Sequence, residues 1–325
     1  MHHESRGGFQ TTKGTKHTKE ENFLLLVLLM VLVVSDVFVV LTRAQTFRGE
    51  VTTVEIPVTV TDNTGRLILG LSKDDFEIYE DGDQQPVTQF SDKRTPVSVG
   101  VLLDISDSMR GQPIIDARTS VDRFLSDLLD PGDEAFVESF NHLPRILSAW
   151  TGPPSKLKGK LEGEKPTGGT AIYDAIFAAT PMLLRHTRSR AALIVISDGA
   201  DTASDHSLAQ TRETLRRSDA FVYAVAVDSA TDARVSTKVS PEALREITAP
   251  SGGYTEVIKT YEDIGPATER IADELNHQYT IGYATLKPQD GSWRSLRVRV
   301  KNHDYLARSR RGYYATIPAT KSTQK

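Results

Sequence analysis

Three short, almost uninterrupted apolar runs constrain the fold of this chain more than any other feature. They cover residues 97–103 (VSVGVLL), 191–196 (AALIVI) and 221–227 (FVYAVAV). Runs of this length with no polar side are typical of parallel strands that are buried on both faces. Because segments with helical spacing lie between them, the sequence predicts crossover units and an open, doubly wound, mostly parallel α/β sheet.

Helical periodicity occupies the intervals between these runs. Pro113 suits a first helical turn, and apolar residues recur at helical spacing until Pro131 and Gly132 end the pattern. By the same criteria, further helices are predicted over residues 171–185, 208–217, 241–248 and 261–277, and further strands over 135–140, 145–150 and 254–258. Together these elements define an α/β domain over residues 96–275.

The segments on either side of this domain carry β patterns instead. Strands are predicted over residues 51–60, 75–79 and 86–90 before the domain, and over 278–285, 295–302 and 305–315 after it. Neither group alone has enough strands to bury a face. We therefore predict one smaller all-β module, formed by residues 46–95 and 276–316, into which the α/β domain is inserted.

The last predicted strand carries three arginines, Arg308, Arg310 and Arg311. We interpret this charge run as a solvated strand face that protects the edge of a sheet, with a basic contact surface as the alternative. The polar tail that follows, residues 317–325, is predicted to be disordered.

An apolar run at residues 23–41 follows several lysines, a pattern typical of an export signal. The run is also long enough to span a bilayer. Thr42 and Ala44 supply the small residues of a cleavage site, and Asp36 would be costly inside a permanent span. We predict a signal peptide within residues 1–45, with an uncleaved inner-membrane anchor as the alternative. The rest of the chain is then periplasmic, in the cell envelope or secreted, and meets a membrane only through an uncleaved segment.

Oxygen-bearing side chains follow the ends of two of the buried strands. Asp104, Ser106 and Ser108 come at alternate positions after the first of them. Asp198 follows the second, and Thr170 precedes the helix that leads to it. Since loops at the carboxyl ends of parallel strands gather at one edge of the sheet, we expect these five side chains to lie close together.

Two carboxylates and three hydroxyls suit a hard divalent cation. The chain has no cysteine, so sulfur ligands are excluded, and its eight histidines are scattered. We predict a site for Mg²⁺, with Mn²⁺ or Ca²⁺ as alternatives, that the protein side chains fill incompletely. Because Asp, Ser and Gly after strands are also common in turns and helix caps, a purely structural role is the alternative for these residues.

The pattern resembles the metal-ion-dependent adhesion site of the von Willebrand factor type A (VWA) domain. The family motif is DxSxS, here Asp104, Ser106 and Ser108, followed by a Thr in a GGT-like segment, here Thr170, and an Asp in an SDG-like segment, here Asp198. The resemblance covers the whole α/β domain. It implies that Ser106 and Ser108 bind the ion directly, and that Thr170 and Asp198 exchange direct and water-mediated contact.

Three further segments are similar to an exported bacterial VWFA-related subfamily best known from Acidobacteria. They are residues 75–82 (DFEIYEDG), 170–175 (TAIYDA) and 278–283 (QYTIGY). The resemblance implies a non-enzymatic domain whose metal ion takes an acidic group of a partner protein in its open coordination position.

Three aspartates near the motif have other expected roles. Asp107 should point away from the two serines, as a solvated turn residue or as a group that supports the loop. Asp174 follows Thr170 by one helical turn, so it either bonds to the loop or is exposed. Asp201 is expected to begin the helix that follows it.

The sequence offers little to support catalysis. It has no GxxxxGK[ST], GxGxxG, GxSxG or HExxH segment. Haloacid-dehalogenase-type phosphatases need a second Asp where this chain has Ser106. The net charge of −4 gives no basic patch for nucleic acid.

We therefore predict an exported protein-binding module, and not an enzyme, that recruits an Asp or Glu carboxylate of a partner protein. A structural envelope module, in which the ion only ties loops together, is the alternative. A metal-dependent hydrolase is a more distant one.

Overall fold

The structure is a computed structural model that describes residues 51–228 and 240–315 and, outside these, only Phe23. Apart from Phe23, the predicted export segment lies outside the described residues, as does the predicted tail. The described residues from Val51 onward form one compact unit. Within the described residues, no helix combines the length and the apolar composition needed to cross a bilayer.

Strands and α-helices follow each other in nearly the predicted order. The strands are β1 (Thr52–Asp62), β2 (Phe76–Glu80), β3 (Asp83–Gln85), β4 (Gln89–Ser91), β5 (Val97–Asp104), β6 (Glu134–Phe140), β7 (Pro144–Ile146), β8 (Arg190–Ser197), β9 (Phe221–Val227), β10 (Thr255–Ile258), β11 (Tyr279–Thr285), β12 (Trp293–Val300), β13 (Tyr305–Arg308) and β14 (Gly312–Tyr314). The helices are α1 (Gln112–Arg123), α2 (Ile172–Leu183), α3 (Leu208–Leu215), α4 (Pro241–Thr248) and α5 (Ile264–Asn276). A π-helical turn, Phe124–Leu128, prolongs α1.

A six-stranded sheet with the order β10-β9-β8-β5-β6-β7 forms the centre of the α/β part. Every neighbouring pair in it is parallel except β6 and β7. Helices cover both faces, because the three apolar runs have no polar side to expose. The predicted doubly wound, mostly parallel α/β sheet is confirmed.

Separate hydrophobic cores lie on the two faces of this sheet. On one face, Val101 of β5 clusters with Val121 of α1 and Ile271 of α5. On the other face, Leu102 of β5 clusters with Ile176 of α2 and with apolar residues of α3 and α4. Burial on both sides fixes where β5 ends, and therefore where the loop that follows it begins.

The flanking strands form two antiparallel four-stranded sheets, β13-β1-β11-β4 and β14-β12-β2-β3. They share one hydrophobic core, to which Ile56 of β1, Ile78 of β2, Ile281 of β11 and Val298 of β12 contribute. Strands from before and after the α/β part pair with each other, β1 with β11 and β2 with β12. The second, smaller all-β part of the predicted fold is thus present, while its boundaries at residues 96 and 275 stay a prediction.

Three predicted strands differ from those observed. The one predicted over 86–90 is β4, which begins only at Gln89. The strand predicted over 145–150 is assigned only as β7, although Leu147 and Ser148 still bond to Val137 of β6 and Thr151 bonds to Ala135. The strand predicted over 305–315 is two strands, since β13 pairs with β1 and β14 with β12. A continuous alternating pattern does not reveal where a chain crosses from one sheet to another.

The interpretation of the arginine run as a solvated face was wrong for two of its members. Arg308 forms an ion pair with Glu274 of α5 and donates to the Gly252 carbonyl oxygen at 3.1 Å. Arg310 is only 9% exposed and forms an ion pair with Asp219. These arginines join the β sandwich to the α/β part, and their partners are too distant in sequence for the pattern to show.

The close approach of β5 to its neighbours gives a first prediction. A Cβ at Gly100 would lie 2.4 Å from Phe136 Cζ and 2.8 Å from Leu193 Cδ1. We expect Gly100→Ala to lower the free energy of unfolding by about 1–3 kcal/mol in urea denaturation, because the buried side chains must shift. Gly163→Ala is the control, since its Cβ would meet nothing within 4 Å. Equal stability of the two variants would contradict the packing described here.

Candidate metal site

The predicted site residues lie where the sheet changes its direction of growth. From β5 the chain continues to β6 on one side, and it later returns to β8 on the other side of β5. Crevices that bind ligands form at such points, outside the carboxyl ends of the strands. Asp104 is the last residue of β5, and Ser197 is the last residue of β8.

Asp104 is completely buried at the floor of this crevice. Its Oδ1 accepts a hydrogen bond from the Ser106 N–H at 2.8 Å, and its Oδ2 accepts one from the Ser197 hydroxyl at 2.6 Å. Burial, together with the negative charge of Asp198, raises the pKa of Asp104 to about 7. An ionised Asp104 is therefore incompletely compensated by the protein alone.

The two serines of the motif and Asp198 form a continuous row of oxygen contacts. Ser106 Oγ and Ser108 Oγ lie 3.0 Å apart. The Ser108 hydroxyl donates to Asp198 Oδ1 at 2.7 Å, and the Tyr261 hydroxyl donates to Asp198 Oδ2 at 2.6 Å. The loops after β5 and β8 therefore meet through side-chain oxygens.

Thr170 lies beside this row, shortly before α2. It is 5% exposed, and its carbonyl oxygen accepts a hydrogen bond from the Thr202 N–H at 2.8 Å. Its hydroxyl oxygen is 3.1 Å from the position that a Cβ at Gly199 would occupy. Since Gly199 directly follows Asp198, the structure brings all five predicted residues into adjoining loops.

Asp107 is the solvated turn residue of the loop. Its N–H donates to the Gly168 carbonyl oxygen at 2.9 Å, and its carboxylate forms an ion pair with Arg110 at 2.7 Å. The Arg110 guanidinium lowers the pKa of the Asp107 carboxyl. Its side chain is 60% exposed. It does not contribute to the row of oxygen contacts.

Asp174 holds the loop after β8 against α2. Its carboxylate accepts hydrogen bonds from the N–H groups of Asp205 and His206, both at 2.9 Å. Of the two roles expected for Asp174, bonding to the loop is the one observed.

The expectation for Asp201 was wrong about which helix it caps. The helix that follows, α3, has Ser207 as its N-cap. Asp201 instead accepts a hydrogen bond from the Tyr173 N–H, at the start of α2, at 3.0 Å. Capping groups can come from another loop, and a single sequence does not show this.

Ser197 and Tyr261 are not among the predicted site residues. Ser197 directly precedes Asp198, and in retrospect its position at a strand end was a usable signal. Tyr261 lies just before α5, far from the motif in sequence, and no local pattern connects it with the site.

The donor set fits a divalent cation. A buried carboxylate and a second one nearby repel each other, and a cation between the loops would offset both that repulsion and the cost of burial. Among the described residues, no group of three or more His, Asp or Glu side chains could hold a metal ion. The hydroxyls of Ser106, Ser108 and Thr170 would therefore have to provide the remaining protein oxygens.

Comparison with known proteins agrees with the fold. Residues 99–200 match the family model of the von Willebrand factor type A domain. A von Willebrand factor type A structure from Catenulispora acidiphila is similar at 12% identity and a TM-score of 0.50, with 70% of each chain covered. A comparison with curated proteins gives no significant match.

A second similar structure carries a metal. It is proximal thread matrix protein 1 from the mussel byssus with a zinc-occupied MIDAS motif, at 15% identity and a TM-score of 0.51. The alignment covers 61% of this chain and 50% of that chain. At such low identity, this similarity supports a shared fold and nothing more.

Proposed function

We propose that this chain, whose residues 99–200 match the family model of the von Willebrand factor type A domain, is a metal-dependent, adhesion-type protein-binding module. Asp104, Ser106, Ser108, Thr170 and Asp198 would hold one divalent cation. The observation that supports this most directly is the burial of Asp104 beside Asp198, where it accepts hydrogen bonds from two neutral groups, the Ser106 N–H and the Ser197 hydroxyl. The mussel protein, whose MIDAS motif holds zinc, supports metal binding in this fold.

The neutral ligands define what a partner must offer. Three of the five side chains are hydroxyls, so they neutralise a cation less than a cage of carboxylates would. An Asp or Glu carboxylate of another protein would gain electrostatic attraction in the partly dehydrated crevice. The partner class we propose is therefore a protein that presents an exposed acidic side chain.

For the ion itself we propose Mg²⁺, with Mn²⁺ or Ca²⁺ as alternatives, because all five donor atoms are oxygens. When bound, the ion supplies an electropositive coordination position. The chain's own residues orient the two carboxylates: Ser197 and the Ser106 N–H hold Asp104, and Tyr261 holds Asp198.

We further propose that the module is exported and has no catalytic activity. The apolar run at residues 23–41 supports export. The sequence has no GxSxG, GxxxxGK[ST] or HExxH segment, and this argues against catalysis. A structural envelope role, in which the ion only ties loops together, is the alternative that the experiment below must separate.

Partner capture tests the proposal. The immobilised chain should retain a protein from the envelope fraction of its own organism in the presence of Mg²⁺. EDTA, or Ser106→Ala combined with Ser108→Ala, should reduce this retention at least about tenfold, since one buried charge-assisted contact is lost. Ser155→Ala, at an exposed serine outside the site, is the control.

Circular dichroism distinguishes the alternatives. The adhesion proposal expects the treated and mutated chains to keep their folded spectrum while they lose the partner. If EDTA unfolds the chain and no partner is retained even with Mg²⁺, the ion has a structural role. Full retention after both treatments would exclude the metal site as the binding surface.

A further inference from the structure

A cavity of about 390 Å³ lies between the β sandwich and the amino-terminal edge of the six-stranded sheet. Thr53 and Glu55 of β1 line it on one side, and Thr95 and Arg190 line it on the other. Arg190 begins β8, whereas the candidate metal site follows the end of that strand. The length of the strand, about 3.3 Å per residue, separates the two places. The volume is within the range of roughly 300–1,000 Å³ found for small-molecule sites.

Arg190, one of the lining residues, is a buried cation without an acidic partner. It is 7% exposed. Its guanidinium donates to the carbonyl oxygens of Leu275 and Thr95 and to Gln278 Oε1, all of which are uncharged. Within the described part of the chain it forms no ion pair, and its Nε has no acceptor. Burial lowers the pKa of this guanidinium to about 10, because it disfavours the charged form.

Two more lining residues have unsatisfied donors. Arg310 forms an ion pair with Asp219, whose side chain is 64% exposed, and donates to the Glu55 carbonyl oxygen at 3.0 Å. Arg310 Nε and Gln289 Nε2 are buried, and neither has an acceptor among the described residues. A buried donor without an acceptor carries a desolvation cost. Two guanidinium groups and one amide side chain therefore belong to the lining of one cavity, where an anion would gain electrostatic attraction from the arginines.

We infer that this cavity binds a small organic acid, with its carboxylate between Arg190 and Arg310. The carbon skeleton would lie against Val54, Pro57 and Tyr313, which also line the cavity.

Inorganic phosphate fits less well than a carboxylate. The exposed carboxylates of Glu55 and Asp219 also line the cavity, and they would repel a multiply charged anion more strongly than a singly charged group. No part of this inference depends on a bound metal.

Calorimetric titration of the full chain with the monocarboxylates butyrate and L-lactate, and with phosphate as the comparison, tests the inference. We expect saturable binding of at least one carboxylate probe at one site per chain, with the same affinity in EDTA. Phosphate should bind more weakly. Failure of both carboxylate probes to bind, or tighter binding of phosphate, would overturn the inference.

Variants then locate the binding. Arg310→Gln should weaken the carboxylate probe at least about tenfold, because a charge-assisted contact is lost. Gln289→Leu should weaken it about threefold or more, and this variant decides the question if Arg310→Gln does not fold. Arg299→Gln is the matched control, since Arg299 lies over the Tyr79 ring of β2, outside the cavity. Unchanged affinity in the cavity variants, or an equal loss in Arg299→Gln, would exclude this site.

Discussion

Asp104→Asn should weaken Mg²⁺ binding by about a hundredfold or more in calorimetric titration. The substitution removes one of the two carboxylates of the candidate metal site and keeps the size of the side chain. The Asn oxygen can still accept from the Ser106 N–H, so the loop retains its main contact. Loss of binding would then reflect the lost charge and not a collapsed loop.

Asp107→Asn is the matched control in the same loop. The Asp107 carboxylate is 60% exposed and pairs with Arg110 instead of facing the serines. We expect its substitution to change the Mg²⁺ affinity by less than about twofold, since the charge is solvated and screened. Equal losses in the two variants would show that the ion lies on the other face of the loop.

The second large effect is a dependence of stability on pH that Mg²⁺ reverses. Folding raises the pKa of Asp104 from 3.8 to about 7, so the folded chain favours the protonated carboxyl. The stabilisation that this provides is complete below pH 3.8 and is lost as the pH rises toward 7. Without metal, the free energy of unfolding above pH 7 should therefore be roughly 4 kcal/mol lower, through Asp104 alone, than when this carboxyl is protonated.

The comparison between wild type and Asp104→Asn isolates this contribution from other titrating groups. In EDTA at pH 8, urea denaturation should find Asp104→Asn more stable than wild type, and this difference should shrink as the pH falls toward 4. With Mg²⁺ at about a hundred times its Kd, the wild type should gain about 2.7 kcal/mol at pH 8. It should gain much less at pH 5, where Asp104 is protonated. A difference that does not change with pH would refute the assigned burial of this charge.

The sequence predicted that the loops after β5 and β8 meet, because the relevant signals are local. The end of β5 is set by an apolar run, and the next residues carry the oxygens at alternate positions. Parallel pairing then brings the ends of β5 and β8 together, whatever the intervening sequence does. Asp104, Ser108 and Asp198 could therefore be grouped from the sequence alone, although their role as metal ligands stays a prediction.

Contacts between distant segments escaped prediction. Tyr261 reaches Asp198 from the start of α5, and Arg308 reaches Glu274 across the boundary of two structural parts. Neither pair has a spacing that a periodic pattern encodes. The same limit explains why residues 305–315 read as one strand, although they cross between two sheets.

The burial of Glu138 also could not be predicted from the sequence. Glu138 lies on β6, is completely buried, and has no hydrogen-bond partner for either carboxylate oxygen among the described residues. Burial raises the pKa of this carboxyl to about 8. In the sequence it is one polar residue in a strand, and an exposed edge would have been the ordinary expectation. Only the helices that cover both faces of the sheet reveal that it is enclosed.

The place where β1 enters the fold has a mechanical consequence. Thr52 and Tyr314 both line the cavity at the end of the sheet opposite Asp104. A tensile force between an attachment before residue 51 and a partner held at the metal edge would therefore run the full length of the parallel strands. It would load the pairing of β1 with β11, from Thr52–Thr285 to Val58–Tyr279, in shear along the strand, so that the hydrogen bonds resist together and do not open one after another.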